Sequence, residues 1–185
     1  MFSGSSVQLA WGAVFTLLLV VGCVSDLRSR RIPNELVLAI LITGWLFALF
    51  SPDVWSALKL SLAGTALGFA IWIGFYVLGA IGAGDVKFFA AAGAWLGPGL
   101  TWRAALVAAV AGGVLAVGML VLEKRLGSSI RRIALAASAR TMAVVPDSSD
   151  SSTKNRRLPY GVALAVGALV AAWFPGFVQT LKVFP

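Results

Sequence analysis

Apolar positions in this chain fall in long unbroken blocks, not in the period-two alternation of a strand or the stripe of a soluble amphipathic helix. Six blocks stand out: Val7–Ser25, Glu35–Phe50, Val54–Leu78, Val86–Leu100, Arg103–Leu122 and Leu158–Phe174. A helix crossing a bilayer needs about 20 apolar residues, with roughly 17–25 tolerated. The pattern predicts an all-α, polytopic integral membrane protein with six transmembrane helices in a single membrane-embedded domain over residues 1–185. Lys59, near the start of the third block, is placed to snorkel outward. Gly97-Pro98-Gly99 closes the fourth block, and Pro175-Gly176 stops the sixth. The one long polar stretch is the loop 123–157. Within it, Ser128–Arg140 sets Ile130, Ile133, Ala134 and Ala137 at helical spacing among Arg131, Arg132 and Arg140, which predicts an amphipathic helix on the membrane surface. Pro146–Asn155 reads as a flexible Ser/Asp/Thr linker. No tandem repeat is visible.

Basic residues orient these spans. Alternate loops give one side Arg28, Arg30, Arg31, Lys87 and the eight basic residues of 123–157; the other side has only Lys59, Arg103 and Lys182. The richer side is expected to be cytoplasmic, with both termini outside. Net charge +8 then serves topology and attraction to anionic lipid headgroups, and no nucleic acid is needed as a partner. The run Val20-Val21-Gly22-Cys23 superficially matches a lipoprotein processing site. A signal peptide needs a basic n-region, however, and residues 1–22 contain no Lys or Arg.

Composition narrows the chemistry further. At 59% hydrophobic and 12% charged, with mean hydropathy +0.93, the chain holds half the ~25% charge of a soluble domain. The absence of histidine excludes Ser-His and Cys-His hydrolases and His-ligated zinc proteases. A single cysteine excludes an internal disulfide and a Cys-rich zinc module. No metal or cofactor is implied.

Seven acids remain to be placed. Asp53 belongs to an outer loop, and solvated or ion-paired roles suffice for Glu123, Asp147 and Asp150. Asn34, after Pro33, reads as a helix N-cap with Glu35 in the first turn. Asp26 closes the first block and Asp85 precedes the fourth, and the charge-derived topology sets both at the cytoplasmic boundary. The macrodipole disfavours charge on Asp26, at a helix C-terminus, and favours it on Asp85, at an N-terminus. Two carboxylates in hydrogen-bond reach would share one proton near neutral pH, so that one can protonate a carbonyl or leaving amine while the other activates water. Each also has a structural reading: Asp85 as a cap, Asp26 as a partner of Arg28 or Arg30. Gly82-x-Gly84 by itself marks only a permissive backbone, and without a preceding strand or a Gly-Lys-Ser/Thr sequel it is no phosphate cradle. Gly64-x-x-x-Gly68 fits close helix packing. Trp11, Trp55, Trp95, Trp102 and Trp173 lie where interfacial aromatics are expected.

These residues resemble a known family. Gly82-Ala83-Gly84-Asp85-Val86-Lys87 and the apolar run after it resemble the GxGD signature of type IV prepilin peptidases. Asp26, followed after five residues by Ile32-Pro33-Asn34, resembles the family's other aspartate motif. Pro159-Tyr160-Gly161 resembles a third motif of the short, Flp-pilin-processing branch. The resemblance implies a membrane-embedded aspartic endopeptidase of the bacterial inner membrane. It would remove the short basic leader of a prepilin-like precursor at the cytoplasmic face. Asp26 and Asp85 would be catalytic, with Gly82, Gly84, Lys87, Pro33, Asn34, Pro159, Tyr160 and Gly161 supporting them. Longer members carry a Cys-rich domain and methylate the new N-terminus; nothing here marks a methyl-donor site. Two other functions are open to such a chain: a small proton-coupled transporter using one of the aspartates, or a non-catalytic component of a pilus or secretion assembly. A transporter would more usually show repeats and midplane acids, whereas these acids lie at the edge.

Overall fold

The computed structural model describes residues 6–122 and 160–176. Among these the chain is helical: α1 (Ser6–Ser29), α2 (Asn34–Leu49), α3 (Val54–Val77), α4 (Ala83–Leu122) and α5 (Tyr160–Trp173). α1, α3 and the Ala83–Gly118 stretch of α4 are long and apolar enough to cross a membrane, while α2 and α5 are shorter apolar helices. The amphipathic helix expected at Ser128–Arg140, the 146–155 linker and Pro159 lie outside the described residues. The chain divides into two compact units, Met1–Gly112 with Pro159–Pro185, and Gly113–Leu158. Of the second, the described portion is the helical end of α4.

The first unit is held by contacts that fix helix directions. On α5, the Gly161 amide donates to the Asp26 side chain of α1 (2.9 Å), and at the other end Trp173 Nε1 donates to Thr16 Oγ1 (3.0 Å). The two helices are therefore antiparallel. Trp95 Nε1 donates to the Ile40 carbonyl of α2 (2.9 Å), and Ser61 Oγ donates to the Ala94 carbonyl (2.6 Å), tying α2 and α3 to α4. Trp95 also stacks on Phe47 at 5.4 Å and meets Phe15 at 5.0 Å and Trp11 at 6.0 Å. This aromatic cluster lies at the end of the bundle away from Asp26, eleven residues or about 16 Å along α1 from Phe15. Trp95, 2% exposed, is therefore a core residue and not the interfacial anchor expected from sequence.

The fourth and fifth apolar blocks form one helical element with a single break. Gly97 adopts φ 66, ψ 170, a conformation helices exclude and side chains resist. Pro98 follows at the first position of the next turn, where its missing N–H forfeits nothing, and Thr101 Oγ1 donates back to the Gly97 carbonyl at 2.7 Å. No loop separates the two arms; the helix restarts at once. The first arm begins near Tyr160 at Asp85 and the second returns to the Tyr160 ring at Gly112, so the arms fold back beside each other at Gly97.

Close approach is the common device of the interior. A Cβ at Gly64 would collide with the Gly93 carbonyl oxygen, and one at Gly68 would lie 3.1 Å from the Ala90 Cα. The Gly64-x-x-x-Gly68 stripe thus seats α3 on the first arm of α4, as helix packing in lipid favours. α5 buries Ala163, Ala165, Ala168, Ala171 and Ala172 completely, while Leu17, Leu38, Leu62 and Val110 face outward.

Two local details differ from the sequence reading. Pro33, extended at φ −60, ψ 139, is the N-cap of α2, and Asn34 is already helical, with no side-chain cap. Proline fixes the entry angle, so no Asn cap is required. Asp53 is more than a loop residue: it caps α3, accepting from the Ser56 amide at 3.2 Å. Hydrogen bonds from the Ser56 side chain and backbone hold its carboxyl below the usual carboxylate range.

Replacement of Gly64 by Ala is expected to lower stability by about 1–3 kcal/mol, since backbone on both helices must move apart. Thermal unfolding in detergent measures this; Gly74→Ala, which meets nothing within 4 Å, is the control.

Candidate active site

Asp26 sits in the last turn of α1 and is 6% exposed. Burial of a carboxylate is costly unless donors meet it. The donor here is backbone: the Gly161 N–H, in the first turn of α5, reaches Asp26 Oδ2 at 2.9 Å. Amides of a first turn have no intrahelical acceptor and carry the positive end of the helix dipole, so both hydrogen bond and field favour a carboxylate there. Glycine is required at 161 because a Cβ would lie 2.8 Å from Asp26 Oδ2. Arg30 adds positive charge within electrostatic reach of Asp26. It occupies the left-handed region (φ 51), where the chain leaves α1, with its amide on the Asp26 carbonyl at 2.8 Å.

Asp85 lies half-buried in the first turn of α4. Its Oδ2 accepts from the Gly82 amide at 3.1 Å, as the third residue of a capping box reaches back to the cap. The capping role open to Asp85 from sequence is thus present, from inside the helix and not from in front of it. Its charge also acts on the Tyr160 phenol.

The motif residues converge unequally. Ile32 links two of them: it lies 3.8 Å from a Cβ built on Gly84 and 3.2 Å from one built on Gly161. Asp26, Asp85, Gly84, Tyr160 and Gly161 are therefore gathered by α1, the turn before α2, α4 and α5 at one end of the bundle. Gly82 shapes the turn into α4 and binds Asp85. Lys87 is exposed, as are Pro33 and Asn34, and Pro159 lies outside the described residues. Within the 32–34 triplet, the residue that touches the site is Ile32. An apolar cavity of about 470 Å³, lined by Trp11, Phe47, Trp95 and Gly97 among others, lies at the opposite end, around the aromatic cluster.

Comparison with known proteins gives the family. The model of the type IV leader peptidase family matches residues 13–117, more than half of the chain. The chain belongs to that family. The matched region contains Asp26, the Ile32-Pro33-Asn34 triplet and the whole Gly82–Lys87 motif. A relative from Pectobacterium carotovorum subsp. carotovorum, a prepilin leader peptidase/N-methyltransferase, is 38% identical over 114 residues, covering 55% of this chain and 39% of that protein. The chain thus spans about two fifths of that relative's length. No solved structure matches.

The amide–carboxylate contact separates two substitutions at Asp26. Asp26→Asn keeps an oxygen acceptor for the Gly161 N–H and is expected to unfold close to the parent. Asp26→Ala leaves that buried donor unmet and is expected to lose about 1–3 kcal/mol. Thermal unfolding of the two variants side by side measures the difference.

Proposed function

We propose that this chain is a membrane-embedded aspartic endopeptidase that removes the short basic leader from type IV or Flp prepilin-like precursors. The observation that carries the proposal is that Asp26 and Asp85 lie at the same end of the bundle as the α5 N-terminus, in a chain of the type IV leader peptidase family. Six apolar segments, counting the two arms of α4 separately, cross the bacterial cytoplasmic membrane, with the aspartates at the cytoplasmic side. Arg28, Arg30, Arg31 and Lys87 hold anionic headgroups there.

The chemistry follows from one proton shared by two carboxylates. The ionised member takes a proton from water as the water oxygen attacks the scissile carbonyl carbon. The protonated member gives its proton to the carbonyl oxygen. The tetrahedral intermediate collapses when the leaving amine is protonated by the carboxyl that first accepted the water proton. Backbone donors from Gly161 to Asp26 and from Gly82 to Asp85 fix one oxygen of each carboxylate and so set how the two groups are oriented.

Co-expression with a precursor bearing a basic leader before an apolar helix tests this. Asp26→Asn and Asp85→Asn are each expected to reduce leader removal by about 100-fold or more, scored by gel shift against a folded, membrane-inserted variant. Cleavage at the parental rate by either variant would contradict the pair.

A further inference from the structure

We propose that Trp72 and Gly112 are positioning residues that form a seat for the Tyr160 ring beside the two aspartates. The proposal rests on the reading of Asp26 and Asp85 as the catalytic pair and extends it to two residues outside the family motifs.

Tyr160 opens α5 and immediately precedes Gly161, whose amide holds Asp26. Whatever fixes the Tyr160 ring therefore fixes the rotation of the first turn of α5, and with it the direction of the Gly161 N–H. Two contacts from two other helices fix it. Trp72, on α3, meets the ring edge-on at 5.9 Å and 70°. Gly112, on the second arm of α4, provides the space for the phenol end: a Cβ there would lie 2.6 Å from both Tyr160 Cζ and the hydroxyl oxygen. The slot exists only because position 112 lacks a side chain.

Trp72 is itself held for its shape. It is 2% exposed, and Phe89 and Phe75 lie against it at 5.8 and 5.4 Å. Its indole N–H meets no acceptor among the described residues. An unmet buried donor costs stability, so hydrogen bonding does not account for tryptophan at this place. Its flat area against Tyr160 and Phe89 does. The ring edge contact is what a phenylalanine could partly reproduce and an alanine could not.

The seat predicts coupling between these positions through Tyr160. Cleavage kinetics of the full chain in detergent, on a synthetic precursor, are compared for Gly112→Ala, Trp72→Ala, Trp72→Phe and Tyr160→Ala, and for each of the first two in the Tyr160→Ala background. Gly112→Ala and Trp72→Ala are each expected to lower kcat about tenfold with KM within about threefold, because the carboxylates are misaimed while the leader still binds. Trp72→Phe is expected to recover most of the loss. In the Tyr160→Ala background neither substitution should lower kcat further by more than about twofold. Full additivity there, or a loss expressed in KM, overturns the seat.

The same cycle read by thermal unfolding separates the seat from the catalytic reading. Gly112→Ala should lower the midpoint by roughly 2–4 °C in the parent, and by clearly less when Tyr160 is Ala. That readout needs no cleavage. Retained activity in Asp26→Asn would overturn the catalytic pair and leave this cycle intact. An additive thermal cycle would overturn the seat and leave the pair intact.

Discussion

A carboxylate buried among apolar helices needs a donor, and in this chain the donor is a backbone amide. The hydrogen bond from Gly161 to Asp26 sets the position of α5 against α1, the identity of residue 161 and the orientation of one candidate catalytic group. Side-chain donors would bring charge and freedom into the interior. A first-turn amide brings neither, since its direction is fixed by the helix that carries it. The antiparallel run of α5 along α1, closed at its far end by Trp173 and Thr16, holds that amide in place.

Such precision requires helices that approach closely, and small residues permit it. Between lipid-exposed helices the hydrophobic effect supplies little net attraction, so contact area and backbone proximity must. Gly64 against Gly93, Gly22 under the Phe88 ring and Gly167 against Ala104 and Ala108 are places where an added methyl group would push neighbouring helices away from each other. The alanine-filled faces of α5 extend the same logic. Aromatic side chains gather at both ends: Trp11, Phe15, Phe47 and Trp95 interlock away from Asp26, and Trp72 meets Phe75, Phe89 and Tyr160 on the Asp26 side. Aromatic packing thus braces both ends of the bundle, and at the Asp26 end it is joined by short polar contacts from the Gly161 and Gly82 amides.

Much of this is legible in the sequence. The described apolar blocks are helical, and α1, α3 and the Ala83–Gly118 stretch of α4 have the length and hydropathy that a membrane crossing needs. Asp26 and Asp85 stand out because acids at hydrocarbon edges are costly. The Gly64-x-x-x-Gly68 stripe carries its packing role on its face. Other features depend on three-dimensional neighbours that no spacing reveals. Pro33 displaces Asn34 as the cap of α2 because φ at proline is already set. Trp95, near a block end, sits in the core because its indole finds the Ile40 carbonyl across 55 residues. Gly97-Pro98-Gly99 reads as the close of the fourth block, but that a single left-handed glycine turns the chain and proline starts the next turn at once is visible only in the fold. Ile32, Trp72 and Gly112 carry no chemistry of their own. Their role in the site lies in which surfaces they meet.

If Asp26 and Asp85 act as one pair, their side chains must meet. Site-directed cross-linking measures that meeting most directly. In a chain with Cys23 replaced by serine, cysteines are introduced at 26 and 85 and oxidised in native membranes. Proteolysis between the two positions then tests whether the fragments remain joined. Rapid disulfide formation is expected at 26–85 and none at a 26–77 control pair, since Val77 ends α3 exposed to its surroundings. Failure of 26 and 85 to join, in membranes where a pair at positions 26 and 161 does, would contradict the pairing.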